Sequence, residues 1–349
     1  MGKQKYTNMN RFFGDIIDSL LKYKLEKDEN MDNENYLCDI DYVYRHLYDK
    51  CTITNQVKKQ GILGNKWTQY KHFVNWCKKN NKKVPDYIPK TYFFNKTNMT
   101  KEKIKLLKSL FVNNKKWIVK PQNASFRAGI HVVNSYKKLE KSISNYLNTK
   151  WIIQDYIDNP LKIENKKIHL RIYVLMIKTK DFAQVLVFNK GYIFLSKTVY
   201  DGSSLDDDSN LSGGDSKEQM RLYPHKIVKD YGIETYKKIL KQINVIVKDT
   251  MEATIDNLTC INNSVDKYKC YKFLGYDMLV TDKSNDYKIY LAEINSRTVN
   301  VKFPIKNMYD NLLSIVLNKS KKPLSNKYLF ENNLNFYSVI KRIYNKHEE

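Results

Sequence analysis

The stretch that most constrains the fold runs from Tyr271 to Asn300, YKFLGYDMLVTDKSNDYKIYLAEINSRTVN. It reads as two strands, FLGYDMLV and YKIYLAEIN, joined by the polar turn DKSND. Asp277, Glu293 and Asn295 interrupt these apolar runs. A carboxylate in a buried strand is costly unless it is paired or holds a metal. Glu293 and Asn295 are two apart and so share one face of their strand. A hairpin register of even sum brings Asp277 onto that face too, and the turn length leaves the register open. Two carboxylates and an amide oxygen form an all-oxygen donor set that suits Mg2+, which usually bridges to phosphate. The alternative is a buried Glu293 paired with one of the 61 basic residues.

The 349 residues suffice for two or three small lobes, and a hydrophobic content of 42% permits a packed core. The formal charge of +24 points to an anionic partner: nucleotide, nucleic acid, membrane surface or acidic polypeptide. Against that, Lys, Asn, Ile and Tyr are abundant throughout, which would make much of the charge a solvated surface. No apolar run reaches the roughly 18 residues of a membrane span. The N-terminal segment lacks a signal-peptide apolar region, and Asp15 and Asp18 argue against a transit peptide. The cysteines are Cys38, Cys51, Cys77, Cys260 and Cys270, an odd count without a CxxC. They signal neither a disulfide framework nor a zinc site, so a reducing, cytosol-like compartment is expected.

Taken in order, residues 9–25 have the apolar spacing of a packing helix, 28–35 form an acidic loop, and 36–48 a second mixed apolar segment. Residues 61–79 read as a turn and a helix, and 88–94 as a short strand led by proline. Thr100 caps a helix with Glu102 in its first turn. KKWIVKP (115–121) is a strand ended by Pro121, and NASFRAGIHVV (123–133) a loop returning into a strand. A helix over about 136–147 precedes the strand WIIQDYI (151–157), which Asn159-Pro160 stops. Residues 166–177 and 182–188 form a hairpin, and 191–197 a third strand. Residues 201–219 are poor in apolar side chains and predict a mobile loop. A long amphipathic helix covers 233–255 and a closing helix about 305–318. Hairpins dominate the C-terminal half, which predicts α+β with mostly antiparallel sheets.

Lys120, Lys167 and Arg171 supply cations on strands, and Asp277, Glu293 and Asn295 supply metal donors. Cations for triphosphate oxygens and carboxylates for Mg2+ are what an ATP-using enzyme needs. Backbone groups at Gln154, Asp155, Tyr156 and Ile157 follow a buried strand and can meet an adenine edge.

The arrangement resembles the ATP-grasp fold and, more closely, the tubulin tyrosine ligase family. The resemblance rests on WIVKP (117–121), IIQDYIDNPL (152–161), KIHLRIYVLM (167–176), FLGYDMLV (273–280) and LAEIN (291–295), in that order. Upstream, GNKW (64–67) and IPKTYFF (88–94) also fit the family pattern, so the likeness covers roughly 60–318. It implies an N-terminal lobe (1–90), a central ATP-grasp lobe ending at a hinge (91–157), a C-terminal ATP-grasp lobe (158–320) and a basic, aromatic tail (321–349). It also implies residue roles. Lys120 would hold nucleotide phosphates and Gln154 to Ile157 would cradle adenine. Lys167 and Arg171 would contact nucleotide or the acceptor carboxylate, acting in catalysis with Glu293. Asp277, Glu293 and Asn295 would coordinate Mg2+. The implied reaction is ATP-dependent amide ligation through an acyl phosphate, adding a free amino acid, glutamate or tyrosine, to an acidic tail such as that of tubulin.

The sequence departs from the family at SFRAGI, where glycine is usual, at His169, usually Asp, at Phe194, often Arg, and at Asp208-Ser209-Asn210. His169 shares a strand face with Lys167 and Arg171, and two flanking cations predict a neutral imidazole. On that premise the site would favour a more anionic substrate, glutamate over tyrosine. The competing reading is a non-catalytic binder of microtubules or another acidic polymer that keeps the fold. Nucleic-acid binding rests on charge alone, without a recognition motif.

Overall fold

The computed structural model describes residues 5–8, 26–27, 36–39, 51–55, 57–97, 99–122, 128–144, 150–213, 217–260, 269–284, 286–296, 305 and 307–344, with side chains from Ile53 onward. The helix expected over 9–25, the loop 28–35, most of 36–48 and the SFR of the SFRAGI loop lie outside the described residues.

Strands in chain order are β1 (Lys5–Asn8), β2 (Glu26–Lys27), β3 (Tyr36–Asp39), β4 (Cys51–Thr54), β5 (Val57–Lys58), β6 (Thr91–Asn95), β7 (Trp117–Pro121), β8 (His131–Val133) and β9 (Lys150–Asp155). They continue as β10 (Lys162–Ile163), β11 (Lys166–Lys178), β12 (Phe182–Leu195), β13 (Met220–Tyr223), β14 (Thr259–Cys260), β15 (Lys269–Lys283), β16 (Asp286–Asn295) and β17 (Phe336–Ile343). A four-stranded antiparallel sheet runs β6-β9-β7-β8. The large sheet runs β13-β12-β11-β15-β4-β3-β1-β2, with β16 also on β15 and β17 also on β12. Its C-terminal strands pair antiparallel, and β4, β3, β1 and β2 extend it in parallel.

Alternation along β11 decides what each face does. Ile168, Leu170, Ile172, Val174 and Met176 point into one core, where the helix His225–Glu252 contributes Ile239, Ile243, Ile246 and Val247. Each such burial contributes about 1.5–3 kcal/mol. Tyr173, Leu175 and Ile177 point the other way, against the helix Met308–Val316. At the far end of that second face stand Lys167, His169 and Arg171, so a single strand is apolar at one end and charged at the other. The four-stranded sheet covers its back with the helices Lys101–Ser109 and Tyr136–Ser144, which bury Leu107 and Leu139 against Trp117, Val119, Trp151 and Ile153. Thr100 caps the first of these helices by accepting from Lys103 N at 3.3 Å.

Several expectations change. Residues 182–188 and 191–195 belong to one strand, because Phe188, Asn189 and Lys190 bulge opposite Tyr173 instead of turning the chain, and that strand ends at Leu195, two residues before the expected 197. Gly191 permits this, since a Cβ there would collide with the Arg171 carbonyl oxygen. The mobile loop expected over 201–219 holds a short helix, Asp207–Asn210, with Ser209 and Asn210 buried. Asp206 caps it, accepting from Ser209 N at 3.2 Å. Part of the segment read as a tail is structural: β17 pairs with β12 from Phe182 to Phe188. Cys260 and Cys270 form a disulfide with Cα atoms 5.5 Å apart, against the reading of unpaired cysteines. Cys260 ends β14 and Cys270 lies near the start of β15, and nothing in the odd count betrayed that the fold brings them together. Among the described residues no helix is long and apolar enough to cross a membrane.

Candidate active site

The large sheet places its carboxylates by a one-residue slip. From Lys283 opposite Asp286 to Met278 opposite Leu291 the β15–β16 register sums to an odd number, and from Asp277 opposite Glu293 onward it is even. Ala292 is the residue left over, a β-bulge. Before it, Tyr287, Ile289 and Leu291 point into the core; after it, Ile294 does. The bulge therefore turns Glu293 and Asn295 out of the core and onto the face of Asp277. This settles the register that the turn length left open.

The three predicted donors converge. Asn295 Nδ2 donates to Asp277 Oδ2 at 3.0 Å and to Glu293 Oε1 at 2.9 Å, so one atom touches both carboxylates. Arg171 grips Asp277 with two nitrogens: Nε to Oδ1, and Nη2 to Oδ2 at 2.8 Å. Lys66 Nζ lies 3.0 Å from Glu293 Oε2. Burial alone would raise the Glu293 pKa, but the charges of Lys66 and Lys120 outweigh it and hold the carboxyl well below its ordinary range. Among the described residues no group of three His, Cys, Asp or Glu side chains is gathered for a metal. The donor set here is two carboxylates and an amide. The oxygens of Asp277, Glu293 and Asn295 are the kind of donor set that would hold a hard cation such as Mg2+.

Across from these groups, Lys120 on β7 donates to Gln154 Oε1 at 3.0 Å, and Gln154 Nε2 donates to Thr91 Oγ1 at 3.0 Å. Burial lowers the Lys120 pKa to about 8, against the pull of Glu293 and Asp277. A cleft opens here, lined by Lys66, Lys120, Gln154, Glu293 and apolar side chains including Ile152 and Leu291.

The remaining predicted residues stand apart from this cleft. Lys167 Nζ donates to Tyr156 Oη at 2.8 Å and lies 3.9 Å from that ring's centre. Burial lowers its pKa to about 7, partly opposed by Asp158. The Tyr156 hydroxyl donates to Asn210 Oδ1 at 2.6 Å, and the ring packs with Val132 and Leu211. Ile157 offers its carbonyl to Lys167 at 3.5 Å. Asp155 turns outward to Lys115, 2.6 Å away, and its N–H donates to Lys90 O at 2.9 Å. That donor is already used within the sheet and is not waiting for a base.

His169 has a neighbour that the sequence hid. Its Nε2 lies 3.7 Å from Asp277 Oδ1, and its Nδ1 lies 2.8 Å from Ser212 Oγ. Of the two cations beside it, Lys167 turns to Tyr156 and Arg171 to Asp277. Both cations are engaged by other partners and a carboxylate stands beside His169, so the preference for glutamate loses its premise of two unopposed cations. Phe194, its direct cross-strand partner, stacks on its ring at 5.0 Å and faces the Arg171 guanidinium at 5.5 Å.

Sequence reasoning noticed GNKW without giving it a task. Gly64 lets the chain approach β16, since a Cβ would collide with Ser296 Oγ. Asn65 caps the helix Lys66–Lys79, accepting from Thr68 N at 3.0 Å. Lys66 thereby reaches Glu293, and Trp67 packs on Phe93 at 4.6 Å. A further unforeseen feature is the strap from Asp201 to Gly213, which holds both lobes. On the central side Lys116 Nζ donates to Ser204 O at 2.9 Å, and Asp207 pairs with His131 at 3.0 Å. On the other side Lys197 pairs with Asp208 at 2.7 Å, and Ser196 bridges Ser212.

Two sheets facing across such a cleft define the ATP-grasp fold. The C-terminal domain of K. lactis Pby1, an ATP-grasp enzyme that interacts with the mRNA decapping enzyme Dcp2, superposes with a TM-score of 0.63 at 16% identity, covering 97% of this chain and 99% of that one. The tubulin-tyrosine ligase family model matches residues 44–213 and 215–328, and the chain belongs to that family. Tubulin glycylase 3C of Tetrahymena thermophila is 26% identical over 199 residues, 52% of this chain and 18% of the glycylase. The probable alpha-tubulin polyglutamylase Ttll1 of the same organism is 27% identical over 245 residues, 58% of this chain and 56% of that protein. A probable tubulin–tyrosine ligase of Schizosaccharomyces pombe is 28% identical over 209 residues, 55% of this chain and 46% of that protein. The chain thus covers less than two thirds of each of these relatives.

Proposed function

We propose that this chain is an ATP-dependent ligase that joins a free amino acid to a carboxylate on an acidic protein acceptor of the tubulin-tail kind. The observation that carries this reading is the meeting of Asp277 and Glu293 at one atom of Asn295, facing Lys66, Lys120 and Arg171. In the proposed reaction an acceptor carboxylate oxygen attacks the γ-phosphorus of ATP and ADP leaves. The amino acid's amine then attacks the acyl phosphate, and phosphate departs as the amide forms. Lys120, Lys66 and Arg171 would neutralise phosphate charge, and the cleft would hold the reactants in line. Mg2+ held by Asp277, Glu293 and Asn295 would supply further charge neutralisation on the phosphates. The adenine would lie against Gln154, Tyr156 and Ile157, after Lys167 releases the tyrosine. The relatives' names suggest glycine, glutamate or tyrosine as the amino acid.

The test is incubation with ATP, Mg2+, tubulin and each labelled amino acid. Incorporation that needs ATP supports the reading, and none with any amino acid or acidic acceptor removes it. One observation favours the second reading, a binder without turnover: Asp277 and Glu293 are already neutralised by Arg171 and Lys66. Tubulin binding without ATP consumption would decide for it.

A further inference from the structure

We propose that the outer helices of the central lobe form a docking surface for an extended acidic polypeptide, on the opposite side of the four-stranded sheet from the cleft. This deepens the acceptor part of the proposed function, and the binding assay below needs no turnover, so the two readings can fail separately.

The charge is unevenly spread. Residues 91–157 hold 13 Lys and Arg against 3 Asp and Glu, and the more than twice as long stretch 158–320 holds 25 against 20. The helices Lys101–Ser109 and Tyr136–Ser144 collect this excess on one surface, joined where Lys108 Nζ stands 5.2 Å above the Tyr136 ring. Lys101, Lys105, Lys108, Lys137, Lys138 and Lys141 are exposed. Among the described residues no ion pair joins them to a carboxylate.

A lysine-rich composition alone does not explain this. The helix His225–Glu252 of the same chain is also lysine-rich, and it supplies acids one turn away: Lys226–Asp230 at 3.0 Å, Lys237–Glu234 at 2.7 Å and Lys248–Glu252 at 3.9 Å. The central-lobe helices carry only Glu102 and Glu140, which form no ion pair among the described residues, and they set Lys101 beside Lys105, Lys105 beside Lys108 and Lys137 beside Lys141, spacings at which like charges repel. A polyanion laid along them would relieve that repulsion. Leu106 and Val112 are 51% and 60% exposed beside the lysines, offering aliphatic contact to a polypeptide's side chains. The surface has lysines rather than arginine forks, and its aromatic ring is covered by Lys108. It thus has neither the planar donors nor the stacking platform that nucleic acid uses.

The test is fluorescence anisotropy with a labelled oligoglutamate peptide at low salt. Replacing Lys105, Lys108 and Lys138 together by Glu should weaken binding about tenfold or more, while ATP affinity stays within about twofold. The control replaces Lys229, Lys237 and Lys238 by Glu, the same change in net charge in the other lobe, and should cost no more than about threefold. Equal losses in both variants, or none in the first, would overturn the proposal, as would tighter binding of duplex DNA or phosphatidylserine vesicles at equal charge. A second set with Gln in place of Glu should show the same ranking with smaller losses; a reversed ranking would also overturn it.

Discussion

The four-stranded sheet and the C-terminal part of the large sheet share one plan, a polar row toward the cleft and an apolar face under helices, but they handle charge in opposite ways. On the four-stranded sheet burial lowers the Lys120 pKa to about 8 beside an uncharged partner, Gln154, and among the described residues Lys101, Lys105, Lys108, Lys137, Lys138 and Lys141 form no ion pair. On the large sheet charges meet charges: Arg171 with Asp277, Lys66 with Glu293, and the outer lysines with acids one turn away. The outer helices of the first leave these lysines to solvent, and the second pairs its cleft charges with one another. In a chain of +24, where cations lack partners says more than how many there are.

The sharpest way to break this contrast is to remove one partner of a matched pair on the large sheet. Arg171→Met leaves the buried Asp277 carboxylate without its guanidinium. Breaking a buried pair in this way costs on the order of 3–5 kcal/mol. Urea unfolding should show a loss of that size or no folded state, and near-normal stability would mean that the pair does not hold the site together. Next is Glu293→Gln, which keeps shape and removes charge. Turnover should fall at least about a hundredfold with folding retained, and wild-type-like turnover would remove Glu293 from the site. Gly64→Ala should cost about 1–3 kcal/mol, because the β16 contact must open, and adding Ser296→Gly should recover part of it in the same urea titration. Lys120→Ala should weaken ATP binding about tenfold, roughly 1.4 kcal/mol; an unchanged dissociation constant would show that the central lobe does not hold phosphate.

The smallest effect is a proton count. Lys120 and Lys167 have pKa values near 8 and 7 in the fold, against an ordinary 10.5. Between about pH 7 and 10.5 the folded state therefore binds fewer protons than the unfolded chain, and this contribution makes stability rise with pH. ATP affinity should run the other way, since phosphate favours the ammonium form. Calorimetry at pH 8 in buffers of different ionisation enthalpy should show fractional proton uptake on binding, and proton release would contradict the assignment.

Much of this was legible in the sequence because the period-2 alternation of β11, β15 and β16 is strong and polar residues break it at only a few places. Asp277, Glu293, Asn295 and Arg171 are such breaks, and they do meet. The Lys66 partnership was not legible: it depends on a glycine contact across 232 positions, from Gly64 to Ser296. Nor was the carboxylate beside His169, since strand alternation fixes a residue's face but not which neighbouring strand lies alongside. The order of the 201–213 strap was hidden for another reason. Its few apolar residues suggested mobility, whereas hydrogen bonds from Asp206, Asn210 and Lys116 fasten it.

That strap has a kinetic consequence. It ties the two sheets together through Lys116 and Asp207 on one side and Asp208 and Ser212 on the other. Widening the cleft means unfastening these bonds or carrying the strap along, so under the proposed function they would sit in series with nucleotide exchange. Weakening the Asp207–His131 contact should therefore speed association and dissociation together and leave their ratio, the affinity, nearly unchanged.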